Sequence, residues 1–221
     1  MNSQISGVGG WLTLLLSVLL LVACGSEADK DQAPSYRSVE GTTMGTYYRV
    51  QYREGQTCVT SQQALDELLT GFNQSLSTYI PDSEISEFNR ANGQSWQSLS
   101  PRFSSVLQAA LQVWRQSEGA FDVTIGPLVN LWGFGPEDAV ELPSPEAQRL
   151  SARWVGMDQL QLDAANSVAL KKANEIYVDL SALAKGLGVD ELAEHMEAKA
   201  CTDFMVDIGG EMRTLGSSPA N

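Results

Sequence analysis

Residues 176–198, with the sequence IYVDLSALAKGLGVDELAEHMEA, decide the fold. The first three residues predict a short buried strand, and residues 182–198 predict a helix that Asp179 or Ser181 caps. The N-terminal amides of a helix and the positive end of its dipole favour a bound phosphate. Lys185 is expected in the first turn, where its ammonium group can neutralise a second phosphate oxygen. A capped strand–helix junction with a solvated lysine is the alternative that this segment leaves open.

The rest of the chain alternates long predicted helices with short predicted strands. Apolar residues at helical spacing and capping residues predict helices at 61–76, from Ser83, from Ser100 to Gly119, and over 143–150. β-Branched and aromatic residues predict strands in 36–52, broken around Gly41 and Gly45, a hairpin of 160–162 with 168–170, and a strand pair around Gly209 and Gly210. Such interleaving predicts a layered α/β or α+β domain.

The composition narrows the possible functions. The 221 residues include 14 Lys and Arg against 27 Asp and Glu, which gives a formal net charge of −13. An acidic chain is a poor partner for nucleic acid, so we expect no nucleic-acid partner. A phosphate-bearing substrate would need a divalent cation to offset the repulsion. The single histidine, His195, and the three cysteines lack the spacing of a zinc site, and no Gly-x-Ser-x-Gly elbow of a serine hydrolase is present.

The N-terminal segment predicts a lipoprotein leader. Residues 11–23 are almost wholly apolar but too few for a bilayer span of about 20 residues, which is typical of a signal peptide. They end in Leu-Val-Ala-Cys, which resembles the bacterial lipobox. Residues 1–23 are therefore the predicted signal peptide and Cys24 the predicted lipidation site, with an ordinary cleaved signal or a short anchor as the alternative. Residues 24–35 predict a flexible tether, and 36–221 the folded domain.

Export would place the folded domain in an oxidising compartment. The expected location is the periplasmic side of the cell inner membrane, where the lipid on Cys24 would hold the protein. A disulfide between Cys58 and Cys201 is possible there. Two buried free thiols fit the sequence equally well, because the distance between two cysteines does not follow from their positions in the chain.

Three further stretches combine small residues with aromatic or polar groups. Met44-Gly45 offers a close backbone approach and a soft apolar surface suited to a flat ring, although a bent strand explains it as well. Tyr79 can stack on a ring or belong to the core. Residues 119–135, GAFDVTIGPLVNLWGFG, place Asp122 and a threonine beside exposed backbone amides, which alone is weak evidence of phosphate binding.

Taken together and in this order, these stretches resemble the ApbE family, the FAD:protein FMN transferases. The resemblance covers residues 36–216, nearly the whole chain after the leader. It is carried by the lipobox and by five strings: MGT-x-Y from Met44, STY-x-P-x-SEIS-x-FN from Ser77, GAFDVT-x-GPLV-x-LWGFG from Gly119, DLSALAKG from Asp179, and IGGE-x-R from Ile208.

The resemblance implies that FAD lies in a cleft of an α/β domain of the T-fold type. Its implied FAD-binding residues are Met44 and Tyr79 at the flavin or adenine end, Ala120, Phe121 and Asp122 along the nucleotide, and Asp179 and Lys185 at polar groups. The backbone carbonyl of Ala182 is the implied ligand of a Mg²⁺ ion. The family's other two metal ligands lie in a later Asp-x-x-x-Thr string without a counterpart here, so the resemblance implies a chain that is incomplete at its C-terminus.

The implied activity is Mg²⁺-dependent flavinylation, the transfer of FMN from FAD to a threonine hydroxyl of another protein with release of AMP. The implied targets are exported or membrane flavoprotein subunits, such as those of sodium-translocating NADH:quinone reductase. Two alternatives stay open from the sequence. Water can replace threonine, which gives an FAD pyrophosphatase that forms FMN and AMP, or the chain can be a flavin-binding lipoprotein without catalytic activity.

Overall fold

The computed structural model describes residues 35–55, 57–136 and 141–217. The predicted signal peptide, Cys24 and all of the predicted tether except residue 35 lie outside the described residues, as do residues 218–221. The described chain from Tyr36 onward groups into one unit. Across the described ranges, no helix has the length and apolar character needed to cross a membrane.

The strands of the described residues form two antiparallel sheets. The first contains four strands in the order β1-β2-β6-β7, and the second contains three strands in the order β3-β5-β4. The strands are β1 Tyr36–Thr43, β2 Thr46–Arg53, β3 Trp96–Ser98, β4 Leu160–Asp163, β5 Val168–Lys171, β6 Phe204–Ile208 and β7 Glu211–Leu215. The predicted strands in 36–52, the hairpin of 160–162 with 168–170 and the strand pair around Gly209 and Gly210 are confirmed, and the strands in 36–52 pair with each other as a hairpin. The first breaks at Met44 and Gly45, whereas Gly41 lies within β1 against the Tyr48 ring.

Six α-helices and one 3-10 turn, Met157–Gln159, occur in the described residues. The helices are α1 Gln62–Leu76, α2 Glu84–Arg90, α3 Pro101–Gln116, α4 Gly126–Leu131, α5 Pro145–Ala152 and α6 Ser181–Ala198. Four of them begin after a serine whose hydroxyl accepts a backbone N–H three residues later: Ser61, Ser83, Ser100 and Ser144. A serine is favoured at this position because its hydroxyl satisfies one of the otherwise unpaired amides of the first turn. A serine before a helical pattern therefore predicts where the helix starts.

The buried apolar side chains form two clusters. One lies between the four-stranded sheet and helices α1 and α6, and it includes Tyr48, Val50, Leu65, Leu192 and Ile208. The other surrounds α2, α3 and the three-stranded sheet, and it includes Ile85, Phe88, Phe103, Leu107 and Ala169. Met44 packs against both clusters, so the turn between β1 and β2 lies where the two parts of the core meet.

Residues 176–178 are not a strand of either sheet, so that prediction is wrong. Ile176 and Val178 are fully buried, as expected of a core strand. The segment nevertheless forms only one isolated parallel bridge, between Tyr177 and Ile125. Burial produces the same apolar pattern in an extended connector as in a strand, so the pattern alone does not distinguish the two.

The start of α6 also differs from the prediction. Leu180 occupies the N-cap position and makes no side-chain cap, so neither Asp179 nor Ser181 is the cap residue. Asp179 still serves the helix start, because its Oδ1 accepts the N–H of Ser181 at 2.8 Å. Lys185 is the fifth residue of α6 and so begins the second turn.

Candidate functional site

A cleft of about 640 Å³ opens beside the start of α6. Its walls come from the β1–β2 turn, the C-terminal end of α1 with the loop that follows, and the first turns of α6. The lining residues are Met44, Gly45, Phe72, Asn73, Leu76, Ser77, Thr78, Tyr79, Ile80, Ser181, Ala184 and Lys185. The volume lies within the range of about 300–1,000 Å³ that is usual for small-molecule sites. Sequence segments far apart in the chain therefore form one cleft.

Tyr79 lines the cleft, and the residue is 59 % exposed. Its hydroxyl donates to the carbonyl oxygen of Phe134 at 2.8 Å, which fixes the ring while leaving its face accessible. The loop beneath is fastened by Ser83, whose hydroxyl donates to the carbonyl of Ser77 at 2.7 Å. An exposed aromatic face held in one position is suited to stacking on a flat ligand ring. The alternative that Tyr79 belongs to the core is therefore wrong.

Lys185 is the cation of the cleft. Its Nζ lies 2.9 Å from Oε1 of Glu211 at the start of β7, and the side chain is 38 % exposed. Oε2 of Glu211 is buried and has no hydrogen-bond partner among the described residues. Because the chain is strongly acidic, an anionic ligand in this cleft would find its electrostatic attraction at Lys185.

The amides at the start of α6 are less available to an anion than the sequence suggests. The N–H of Ser181 donates to Asp179, and the N–H groups of Leu183 and Ala184 donate to the carbonyl of Leu180 at 2.9 and 3.0 Å. These three donors are already paired within the protein. The predicted phosphate contact with the helix end therefore depends mainly on the Lys185 side chain.

Asp122 makes hydrogen bonds that connect two segments of the chain. Its Oδ1 accepts the N–H of Thr124 at 2.8 Å, and its Oδ2 accepts the N–H of Met157 at 3.0 Å. The Thr124 hydroxyl in turn accepts the N–H of Gly156 at 2.6 Å. This carboxylate thus joins the 119–135 segment to the 3-10 turn.

The remaining predicted FAD-binding residues lie next to each other rather than in the cleft wall. The N–H of Asp179 donates to the carbonyl of Val123 at 2.8 Å, which brings the two segments side by side. Ala120, Phe121, Asp122 and Asp179 are not among the cleft's lining residues in the described part of the chain. The structure therefore brings Met44, Tyr79 and Lys185 together, and a nucleotide role of the other four stays a prediction.

The described residues do not complete a metal site. Ala182, whose carbonyl is the implied Mg²⁺ ligand, is exposed in the first turn of α6. Within the described ranges, no group of three or more His, Cys, Asp or Glu side chains is arranged to hold a metal ion. One backbone carbonyl does not hold Mg²⁺, which prefers six oxygen ligands at close to octahedral geometry.

Two asparagines connect segments at or next to the site: Asn73 lies outside the family strings, and Asn89 ends the STY-x-P-x-SEIS-x-FN string without a role assigned from the sequence. Asn73 lines the cleft, and its side-chain amide donates to the hydroxyl of Thr43 at 3.0 Å. Asn89, near the end of α2, donates from its side chain to the carbonyl of Val178 and accepts the N–H of Val178, both at 2.8 Å. The hydrogen-bonding roles of these two asparagines do not follow from the sequence, because each is a single polar residue among the apolar residues of its helix that face the core.

Fold and site together define a mixed helix-and-sheet domain whose cleft is lined by Met44, by the exposed Tyr79 and by Lys185. The chain belongs to the ApbE family, whose model matches residues 44–221. It is 40 % identical over 226 residues to the FAD:protein FMN transferase of Haemophilus influenzae and 38 % identical over 211 residues to that of Vibrio cholerae. These matches cover 99 % and 93 % of this chain but 62 % and 60 % of the relatives, so the chain spans about three fifths of their length.

Solved structures of the family have the same fold. The flavin transferase ApbE from Vibrio cholerae matches with a TM-score of 0.81 at 36 % identity, over 85 % of this chain and 61 % of that one. The apo form of the flavinyl transferase ApbE from Pseudomonas stutzeri matches with a TM-score of 0.78 at 28 % identity, over 85 % and 63 % of the two chains. The predicted fold class is therefore confirmed.

Proposed function

We propose that this chain belongs to an FAD:protein FMN transferase that binds FAD in the cleft beside α6 and passes FMN to a protein acceptor. The convergence of Met44, Tyr79 and Lys185 on one cleft supports the proposal most directly. Met44 and Tyr79 supply surfaces for a flat ring, and Lys185 supplies a positive charge for the pyrophosphate. The names of the relatives from Haemophilus influenzae and Vibrio cholerae support the same activity.

The reaction joins the oxygen of a threonine hydroxyl to the phosphorus of the FMN half. The bond from that phosphorus to the bridging oxygen breaks, its electron pair leaves with AMP, and the hydroxyl proton passes to solvent. Most of the catalysis in such a phosphoryl transfer comes from positioning and charge stabilisation. In this cleft, the ring-binding residues would fix FAD, and Lys185 would stabilise negative charge on the phosphates. We assign no general base among the described residues.

Mg²⁺ dependence is part of the proposal, with the carbonyl of Ala182 as one ligand. The ion would neutralise the pyrophosphate and make phosphorus more electrophilic. The proposed Mg²⁺ dependence is supported by the acidic composition of the chain and by the family resemblance. Of the implied metal ligands, the described residues provide only the carbonyl of Ala182. Removing Mg²⁺ with EDTA should abolish transfer, and adding Mg²⁺ back should restore it.

The proposed location is the periplasmic face of the inner membrane, where a lipid on Cys24 would anchor the protein. The proposed acceptor is a flavoprotein subunit, such as one of sodium-translocating NADH:quinone reductase. The apolar leader and its lipobox support export. The disulfide between Cys58 and Cys201, with Cα atoms 5.0 Å apart, is consistent with an oxidising compartment. Labelling with a radioactive fatty acid tests the anchor, because a Cys24→Ser variant should take up no label.

The test of function is to incubate the chain with FAD, Mg²⁺ and the acceptor protein and to measure the intact mass of the acceptor. We expect a gain of one FMN group, equal amounts of AMP, and no gain in an acceptor whose target threonine is replaced by valine. AMP release without a mass gain would instead identify an FAD pyrophosphatase. Retained flavin without AMP would identify a flavin-binding lipoprotein, and either result would contradict the transferase proposal.

A further inference from the structure

Met44 holds an unusual backbone conformation at the wall of the cleft. Its φ is +51°, in the left-handed region that residues other than glycine rarely adopt, and Gly45 follows with a φ of +72°. A side chain in this region costs about 1–2 kcal/mol and persists only where the surroundings hold it. The side chain nevertheless lines the cleft and packs against both core clusters. Neighbouring groups must therefore fix this turn.

One such group is Asn73 of α1. Its side-chain Nδ2 donates to the hydroxyl oxygen of Thr43 at 3.0 Å, on the residue directly before Met44. Thr43 is buried, so this hydrogen bond is shielded from water and its loss would leave polar atoms without partners. The backbone carbonyl of Asn73 accepts the N–H of Ser77 at 2.9 Å, which anchors the asparagine at the end of α1. The β1–β2 turn is thus tied to the opposite wall of the cleft.

The second group is Gly188 of α6, which leaves room for the Met44 side chain. A Cβ atom at this position would lie 2.9 Å from the terminal methyl carbon of Met44 and 3.1 Å from Cδ1 of Ile208. The methyl of Met44 is the end of a flexible side chain, so an added Cβ would displace it rather than break the fold. Gly186, two residues earlier in the same helix, has open space at the equivalent position.

We propose that Asn73 and Gly188 are positioning residues that hold Met44 as a fixed wall of the cleft. Asn73 fixes the backbone of the turn through Thr43, and Gly188 fixes where the thioether end comes to rest. The consequence for FAD rests on the proposed function. Because the Met44 side chain is already ordered, FAD binding loses less free energy to the ordering of that side chain. Met44 would then meet the ligand ring in one orientation, which sets the ring shapes that fit.

The test follows the methyl signal of Met44 by NMR in protein labelled with ¹³C-methyl methionine, assigned with a Met44→Leu variant. Thr43→Val removes the hydroxyl that Asn73 needs, and Gly188→Ala fills the space for the methyl. Both should shift or broaden the Met44 signal. The matched variants Thr43→Ser and Gly186→Ala should leave it in place. Met157 and Met196, both buried, report in the same spectrum that the fold is intact.

An unchanged Met44 signal in both Thr43→Val and Gly188→Ala would overturn the inference whether or not the chain binds FAD. A parallel FAD titration then measures the consequence for binding. We expect Thr43→Val and Gly188→Ala to weaken affinity on the order of threefold to tenfold, as the loss of one hydrogen bond or one well-placed apolar contact does. Wild-type protein that fails to bind FAD would contradict the proposed function alone, because the NMR result stands independently.

Discussion

Lys171, the last residue of β5, is a buried lysine. Its Nζ donates to the carbonyl of Asn89 at 2.5 Å and lies 5.7 Å from the ring centre of Phe88. Burial lowers the pKa of this ammonium group from 10.5 to about 8. Because Asn89 also holds both backbone polar groups of Val178, Lys171 supports the segment that leads into α6. A residue of the second sheet is thereby linked to the segment that precedes α6.

This lowered pKa predicts that stability rises with pH above 8. Between about 8 and 10.5, the unfolded chain keeps the Lys171 proton that the folded chain has released, so a higher pH favours folding. We expect the free energy of unfolding to rise by about 1–2 kcal/mol from pH 8 to 9.5, measured by urea denaturation. Lys171→Met should remove this rise, and a variant that keeps the same slope would contradict the assignment.

At the scale of the elements, Glu84 joins three helices. It is the first residue of α2, and its Oε1 accepts the N–H of Ser100, the N-cap of α3, at 2.5 Å. Its Oε2 accepts the hydroxyls of Ser100 at 2.6 Å and of Ser75 in α1 at 2.8 Å. The SEIS string therefore has a structural role: it locks α1, whose end forms one wall of the cleft, to α2 and α3.

Glu84→Ala should destabilise the protein by about 2 kcal/mol, because it leaves a capped amide and two hydroxyls without their acceptor. Glu87→Ala is the matched control: this exposed glutamate is in the same first turn and lacks those contacts, so we expect a loss below about 0.5 kcal/mol. Urea midpoints with unchanged m-values measure both. Equal losses in the two variants would show that helix-dipole charge, not the junction, explains the effect.

Local signals in the sequence predicted most of the elements. Ser83 and Ser100 marked helix starts because a cap depends on residues three apart, and the hairpins follow from short-range alternation. Long-range pairing was not predictable. The pairing of β6 with β2 leaves no periodic pattern in the sequence. The same is true of the contact between Asn89 and Val178, which lie 89 residues apart. The error at residues 176–178 has this origin, since their burial was visible and their lack of a partner strand was not.

The candidate site was predictable to a similar extent. The family strings indicated Met44, Tyr79 and Lys185, and the fold brings these three to one cleft. The contacts that hold them were not predictable: Asn73 lies outside every string, and Glu211 belongs to the IGGE-x-R string, but its pairing with Lys185 is not visible in that string. Their roles depend on which elements meet, a property of the tertiary structure.

At the scale of the whole molecule, the disulfide closes most of the chain into one loop. Cys58 follows β2 and Cys201 precedes β6, and the two cysteines are 143 positions apart in the sequence. Both cysteines are buried in the cluster between the larger sheet and helices α1 and α6. A cross-link over so long a loop restricts the unfolded chain strongly, so it stabilises the native state.

Replacing both cysteines by alanine should lower the free energy of unfolding by about 2–5 kcal/mol. The measurement is urea denaturation of wild type and of the Cys58→Ala/Cys201→Ala variant, each with and without dithiothreitol. We expect dithiothreitol to weaken only the wild type. A wild-type midpoint that does not respond to dithiothreitol, although mass spectrometry shows that the bond is reduced, would contradict a stabilising role.

FAD titration of three proteins tests most directly whether the cleft beside α6 is the flavin site. Wild type should bind FAD. Lys185→Met should weaken binding about tenfold or more, because it removes the cation that meets the pyrophosphate and leaves Glu211 to repel it. Lys172→Met removes the same charge from an exposed lysine outside the cleft lining and should bind like wild type. Equal affinity of Lys185→Met and wild type, or no binding by wild type, would contradict this assignment.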